Sequence, residues 1–131
     1  MYDFEPILNG KARLAYQSTQ KVKLELCKEI PFKWDKIVII PPYTTADMLK
    51  RHKLANSKFI EKQLPELALD EERCILLFVD NNTIVKFSFV SRIPVDFNYI
   101  KGTDTIKIIS KKMGCEQLYI ENNRNRLSLS Y

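Results

Sequence analysis

The chain is 131 residues long and 45% apolar, with three glycines and a formal charge of +5 from 21 basic and 16 acidic side chains. That length and apolar content fit one domain, 1–131, around one core, and argue against a second independent unit. So few glycines exclude glycine-rich phosphate loops and low-complexity linkers, and no apolar run approaches the ~20 residues of a membrane span.

The first residues, Met1-Tyr2-Asp3-Phe4-Glu5-Pro6, lack the basic and then apolar pattern of a secretory signal. The expected location is therefore cytoplasmic, or periplasmic or secreted if a signal sequence has been removed. Ile7-Leu8 and Leu14-Ala15-Tyr16 read as a helix or irregular structure, with a turn signal at Asn9-Gly10. Val22 to Lys28 alternates apolar and polar side chains, which predicts a strand with Val22, Leu24 and Leu26 on one face.

Lys36-Ile37-Val38-Ile39-Ile40 is β-branched on successive apolar residues, as expected of a central strand covered on both faces. Pro41-Pro42 ends it, and Thr44-x-x-Asp47 resembles a capping box opening a helix from about Thr45 to His52. Lys50-Arg51-His52-Lys53 places positive charge at the carbonyl end of that helix. Asn56-Ser57 is expected to cap a second short helix through Gln63, with Phe59, Ile60 and Leu64 inward and Pro65 as its breaker. Glu66 to Glu72 reads as an acidic exposed connection.

Two apolar runs, Cys74 to Val79 and Ile84 to Val90, flank Asp80-Asn81-Asn82-Thr83, whose asparagines suit a tight hairpin. A further strand is expected at Thr105 to Ile109 after a Lys101-Gly102 turn. A last hairpin joins Gln117–Glu121 to Arg126–Ser130 across Asn122-Asn123-Arg124-Asn125. With no βαβ alternation, this order predicts an α+β fold, mainly antiparallel sheet with two short helices packed on one face.

The chemistry-bearing residues are few. The single histidine, His52, sits among Lys50, Arg51 and Lys53 and reads as a solvated helix end rather than a general base. Neither G-x-S-x-G nor H-E-x-x-H occurs. Asp35, Asp80 and Asp96 lie beside strand ends; the hairpin turn accounts for Asp80, the bend after Pro94 for Asp96 and local polar groups for Asp35, without catalysis. Cys27, Cys74 and Cys115 form no C-x-x-C pair, so no zinc or redox signature is present. They are expected to be buried thiols, Cys115 the most exposed, with one disulfide as the lesser alternative. No catalytic, cofactor-binding or metal-binding residue is assigned.

Charge is uneven. Residues 6–58 hold eleven basic and four acidic side chains, whereas residues 59–80 hold two and six. Such separation suits a partner of opposite charge. A pI near 9.1 with Phe87, Phe89, Tyr99, Tyr119 and Tyr131 on strands also admits base stacking on nucleic acid. Phe87 and Phe89, however, fall on one face of a hairpin strand and read more simply as core.

The most distinctive string is Pro31-Phe32-Lys33-Trp34-Asp35-Lys36-Ile37-Val38-Ile39-Ile40-Pro41-Pro42-Tyr43-Thr44. With the helix, apolar strand and Asn-rich turn that follow it, from about Pro31 to Phe97, it resembles small bacterial secreted proteins or lipoproteins of unknown function. Those carry "WDK", an apolar strand and "PY" before a helix. The resemblance implies export and no activity, and no catalytic residue comes with it. This chain departs from the pattern in having neither a signal sequence nor a lipid-bearing cysteine at its start. Trp34 and Tyr43 have two readings here: cover for the edge of the core, or contacts for a partner.

These observations lead to the expectation of a non-enzymatic protein-binding domain, an immunity or inhibitor protein acting on a toxin or enzyme. Its expected contacts are Trp34, Tyr43, Lys50, Arg51 and Lys53, facing an acidic partner surface. The alternatives are a basic nucleic-acid-binding module and a hydrolase whose carboxylate site the sequence does not reveal.

Overall fold

The computed structural model describes residues 2–17, 21–69, 72–91, 95–96, 106–123 and 126–130. The elements in chain order are α1 (Glu5–Gln17), β1 (Val22–Lys23), α2 (Leu26–Glu29), β2 (Lys36–Ile40), α3 (Ala46–Lys50) and α4 (Lys58–Leu67). They continue with β3 (Arg73–Asp80), β4 (Thr83–Ser91), β5 (Val95–Asp96) and β6 (Lys107–Ser110), then a π-helical turn (Met113–Gln117), β7 (Tyr119–Asn123) and β8 (Arg126–Ser130). Among the described residues the strands form two four-stranded sheets, ordered β4-β3-β2-β6 and β1-β7-β8-β5. Their pairs are antiparallel except β5 with β8. The fold is an α+β mix dominated by antiparallel sheet.

The β-branched run of β2 takes the central position expected of it, hydrogen-bonded to β3 on one side and β6 on the other. Alternation along β2 then divides the core. Ile37 and Ile39 join Phe4, Leu8, Ala12, Ala15, Leu24, Leu26, Trp34, Leu76, Phe78, Leu118 and Ile120 in one buried cluster. Val38 and Ile40 join Leu49, Leu54, Ile60, Leu64, Leu67, Ile75, Leu77 and Val79 in the other. The buried residues of α3 and α4 thus belong to one cluster, and those of α1 and α2 to the cluster that also holds the second sheet.

The predicted hairpin is present as β3–β4, with Asn81 and Asn82 at φ 51° and 58°. Two successive left-handed residues give the turn a twist that matches the flanking strands. Asp35 Oδ2 accepts from the Asn81 N–H at 2.8 Å, and Lys36 Nζ donates to Asn82 Oδ1 at 3.1 Å, tying the turn to the start of β2.

Several expectations are corrected. The alternating run Val22 to Lys28 does not remain a strand. It leaves the sheet after Lys23 and enters α2, where the Glu25 carbonyl accepts from the Lys28 N–H and Lys28 Nζ lies 3.0 Å from Glu25 Oε2. Leu24 and Leu26 are nevertheless both buried, Leu26 as the first residue of α2. Asn9-Gly10 is not a turn but the exposed side of α1, whose inner side carries Leu8, Ala12 and Ala15. Thr45, not Thr44, caps α3 by accepting from Met48 N–H, while the buried Thr44 hydroxyl donates to the Pro41 carbonyl. Pro65 lies inside α4 rather than ending it. Burial of Leu64 and Leu67 on either side of it offsets the backbone hydrogen bond that proline cannot donate.

The cysteine expectation is also corrected. Cys27 and Cys115 form a disulfide with a Cα–Cα distance of 5.0 Å, and Cys74 is the buried free thiol. Separation along the chain concealed the pairing, since α2 and the π-turn are brought together by the β1–β7 and β2–β6 pairings. The Lys101-Gly102 turn, Tyr99, Tyr131, the Asp96 side chain and the Arg124-Asn125 tip lie outside the described residues.

The two glycines of the helical turns respond oppositely to a methyl group. A Cβ on Gly10 meets nothing within 4 Å, so Gly10→Ala is expected to raise stability by about 0.5–1 kcal/mol. A Cβ on Gly114 would lie 2.9 Å from Leu26 Cδ1 and 3.1 Å from Trp34 Cη2, so Gly114→Ala is expected to lose about 1–3 kcal/mol. Urea unfolding of the two variants beside the parent measures both signs.

Candidate functional site

Helix α4 organises the surface most suited to recognition. At 100° per residue, burial of Ile60, Leu64 and Leu67 turns Phe59 to one flank, Glu61 to the other, and Lys58 and Lys62 outward. Phe59, expected inward, is therefore 52% exposed. Its ring lies 5.2 Å from Phe87, which in turn lies 5.8 Å from Phe89 in an edge-to-face contact. Phe87 and Phe89 oppose Leu77 and Ile75, so both face the α4 side of the sheet, half-buried. The Arg73 guanidinium sits 4.5 Å over the Phe89 ring and closes the strip.

Beside Phe59, the approach to α4 hollows into a cavity of about 570 Å³ lined by Leu54, Asn56, Ser57, Lys58 and Phe59. Lys53 and Asn56 adopt φ of 51° and 68°, which turn the chain twice between α3 and α4. Ala55 between them bonds to both sides of the β4 start, donating to the Asn82 carbonyl and accepting from the Ile84 N–H. The cavity rim is thus anchored to the sheet edge.

The sequence-derived contacts divide. Lys50, Arg51 and Lys53 are exposed at the end of α3, and Tyr43 is 56% exposed. Lys50 Nζ is 3.8 Å from Glu61 Oε1, an ion pair too long to be a hydrogen bond, and that oxygen has no hydrogen-bond partner. A pair of this kind, open to solvent at the lysine, adds little stability. It does bring the basic end of α3 against the flank of α4 opposite Phe59. Trp34 is not part of this surface. At 2% exposure it packs against Gly114, with Lys111 Nζ 5.6 Å over its ring, and offers a partner no contact area.

A second cleft, of about 340 Å³, is lined by Asp35, Lys36, Asn81, Asn82, Ile108 and Ser110. Its carboxylate and ammonium are those already bonded to the hairpin turn, and Asp80 faces Lys33 Nζ at 3.9 Å. Asp35 is thus engaged by the turn backbone and Asp80 by a lysine. Among the described residues no group of three or more His, Cys, Asp and Glu is placed to hold a metal ion, and no helix is long and apolar enough to cross a membrane.

Sequence reasoning missed Phe59 and Arg73 as surface groups; Phe87 and Phe89, weighed as stacking aromatics and then read as core, border the core half-buried. Phe59 precedes the inward Ile60 by one position, an offset that places it off the buried face, and this was the available signal. Neither a protein-family model, a curated protein nor a solved structure matches the chain.

Core and surface roles separate under truncation. Trp34→Ala is expected to cost about 3–5 kcal/mol of unfolding free energy, whereas Phe59→Ser is expected to cost less than about 1 kcal/mol. Chemical denaturation of both variants tests the assignment.

Proposed function

We propose that this chain is a non-enzymatic protein-binding domain, an immunity or inhibitor protein that covers an acidic surface of a toxin or other enzyme. The observation that supports the reading is the half-exposed strip Phe59–Phe87–Phe89 beneath Arg73, bordered along α4 by Lys58 and Lys62 and by the Lys50, Arg51 and Lys53 group. Aromatic and arginine side chains release the most free energy when a partner removes them from water, and cations around them accelerate the approach of an acidic surface. Tyr43 belongs to the same reading as an exposed aromatic, whereas Trp34, buried in the core cluster on the other side of β2, takes no part in it.

Export is part of the proposal. The Cys27–Cys115 disulfide suits an oxidising compartment, and the likeness of the Trp34-to-Tyr43 string to secreted proteins points the same way.

Affinity capture from the lysate and secreted fraction of the source cells, with the domain as bait, tests the reading. One stoichiometric protein is expected, lost with Phe59→Ala and with the combined K50E, R51E and K53E variant. The charge-reversed variant should associate at least about tenfold more slowly at low salt, with a smaller difference at high salt. Capture that disappears on nuclease treatment would replace the proposal with nucleic-acid binding.

A further inference from the structure

The disulfide occupies a position that its sequence separation of 88 residues does not suggest. Helix α2, which carries Cys27, connects β1 of one sheet to β2 of the other. The π-turn, which carries Cys115, connects β6 back to β7 in the opposite direction. Because β1 pairs with β7 and β2 pairs with β6, the two crossings run side by side. The disulfide is the covalent tie between them.

Its two cysteines differ in exposure. Cys27 is exposed and Cys115 half-buried, while Cys74 is fully buried in β3. Beneath the disulfide, the two crossings are held by contacts that need no covalent bond. Gly114 is buried against Leu26, Trp34 and Ile109, which are themselves at most 2% exposed. The Ser110 hydroxyl accepts from Met113 N–H at the entry to the π-turn. Apolar packing inside and a reachable disulfide outside are thus separate fastenings of one joint.

We propose that Cys27–Cys115 is a site of reversible thiol–disulfide exchange with a dithiol reductant, and that opening it loosens the joint between the sheets while the protein stays folded. A thiolate of the reductant attacks Sγ of Cys27, the more exposed of the two cysteines. The S–S bond breaks, its electron pair passes to Cys115 Sγ, and that sulfur takes up a proton. The second thiol of the reductant then attacks its own sulfur in the mixed disulfide, loses its proton, and releases Cys27, which is protonated in turn. Two electrons and two protons move from the dithiol to the protein, and the reductant leaves as its disulfide. Freed of the tie, the π-turn and α2 are the segments that relax, because the disulfide joins them directly and a π-helical turn is a rare, single-turn element.

The buried Cys74 supplies an internal control. The full oxidised chain is incubated with dithiothreitol in native buffer, alkylated and mapped by mass spectrometry, with amide hydrogen exchange measured in both redox states. Two alkyl groups are expected, on Cys27 and Cys115, with Cys74 unlabelled. Exchange is expected to accelerate about tenfold or more within residues 26–29 and 113–117 and to remain unchanged in β2 and β3. Removal of the reductant in air should restore the disulfide and the original exchange. The double variant Cys27→Ser, Cys115→Ser should reproduce the reduced pattern without reductant. In a monothiol trap the adduct is expected on Cys27. Resistance to reduction until denaturant is added would overturn the proposal, as would labelling of Cys74 together with the other two, exchange that does not respond to reduction, a double variant that is unfolded, or an adduct found on Cys115.

Discussion

The structure depends on one strand pair that water does not reach from either face. Ile37 to Ile40 of β2 and Cys74 to Val79 of β3 are at most 1% exposed, and five register pairs join the two strands. A strand apolar on alternate residues needs one cover; a strand apolar on every residue needs two. The rest of the chain supplies them. One cover is α3 and α4, and the other is α1, α2 and the second sheet. What the first cover does not need for packing, it presents outward: Phe59 on one flank of α4, the lysines on its outer side, and the end of α3 on the other flank.

The outer strand of this pair's sheet, β4, has an edge that other segments occupy. Tyr2 N–H donates to the Phe87 carbonyl, the Ser88 hydroxyl accepts from Phe4 N–H, and Glu5 Oε1 accepts from Ser91 N–H. At the other end, Ala55 bonds to Asn82 and Ile84. Covered edge groups do not recruit a foreign strand. Recognition at this side of the molecule is therefore left to side chains, the arrangement the Phe59–Phe87–Phe89 strip displays.

The elements legible in the sequence were those whose reason is local. The β2 run announced double-sided burial through β-branching, and Asn81-Asn82 announced the hairpin through tolerance of positive φ. The misread elements were decided at a distance. Val22 to Lys28 has the alternation of a strand, yet α2 forms where the chain must cross between sheets. Pro65 has the chemistry of a breaker, yet Leu64 and Leu67 keep the helix intact. Cys27 and Cys115 carry no local mark of their pairing. Of the candidate surface, the charges Lys50, Arg51 and Lys53 were readable because charge prefers solvent. The aromatic strip was not, because a phenylalanine's side of a helix is set by what its neighbours bury.

The contacts that bind the chain's beginning to β4 also set an order of assembly. Phe4 meets Ser88 across 84 positions and Glu5 meets Ser91 across 86, whereas β3 and β4 adjoin through a two-residue turn. On a ribosome adding roughly 5–20 residues per second, the N-terminal segment waits on the order of 5–15 s for the strand that receives it. Until β3 is made, Phe4 has no Phe78 ring to pack against. This segment is thus made long before the strand that receives it, and the edge of β4 closes over it only once residues 88–91 have emerged.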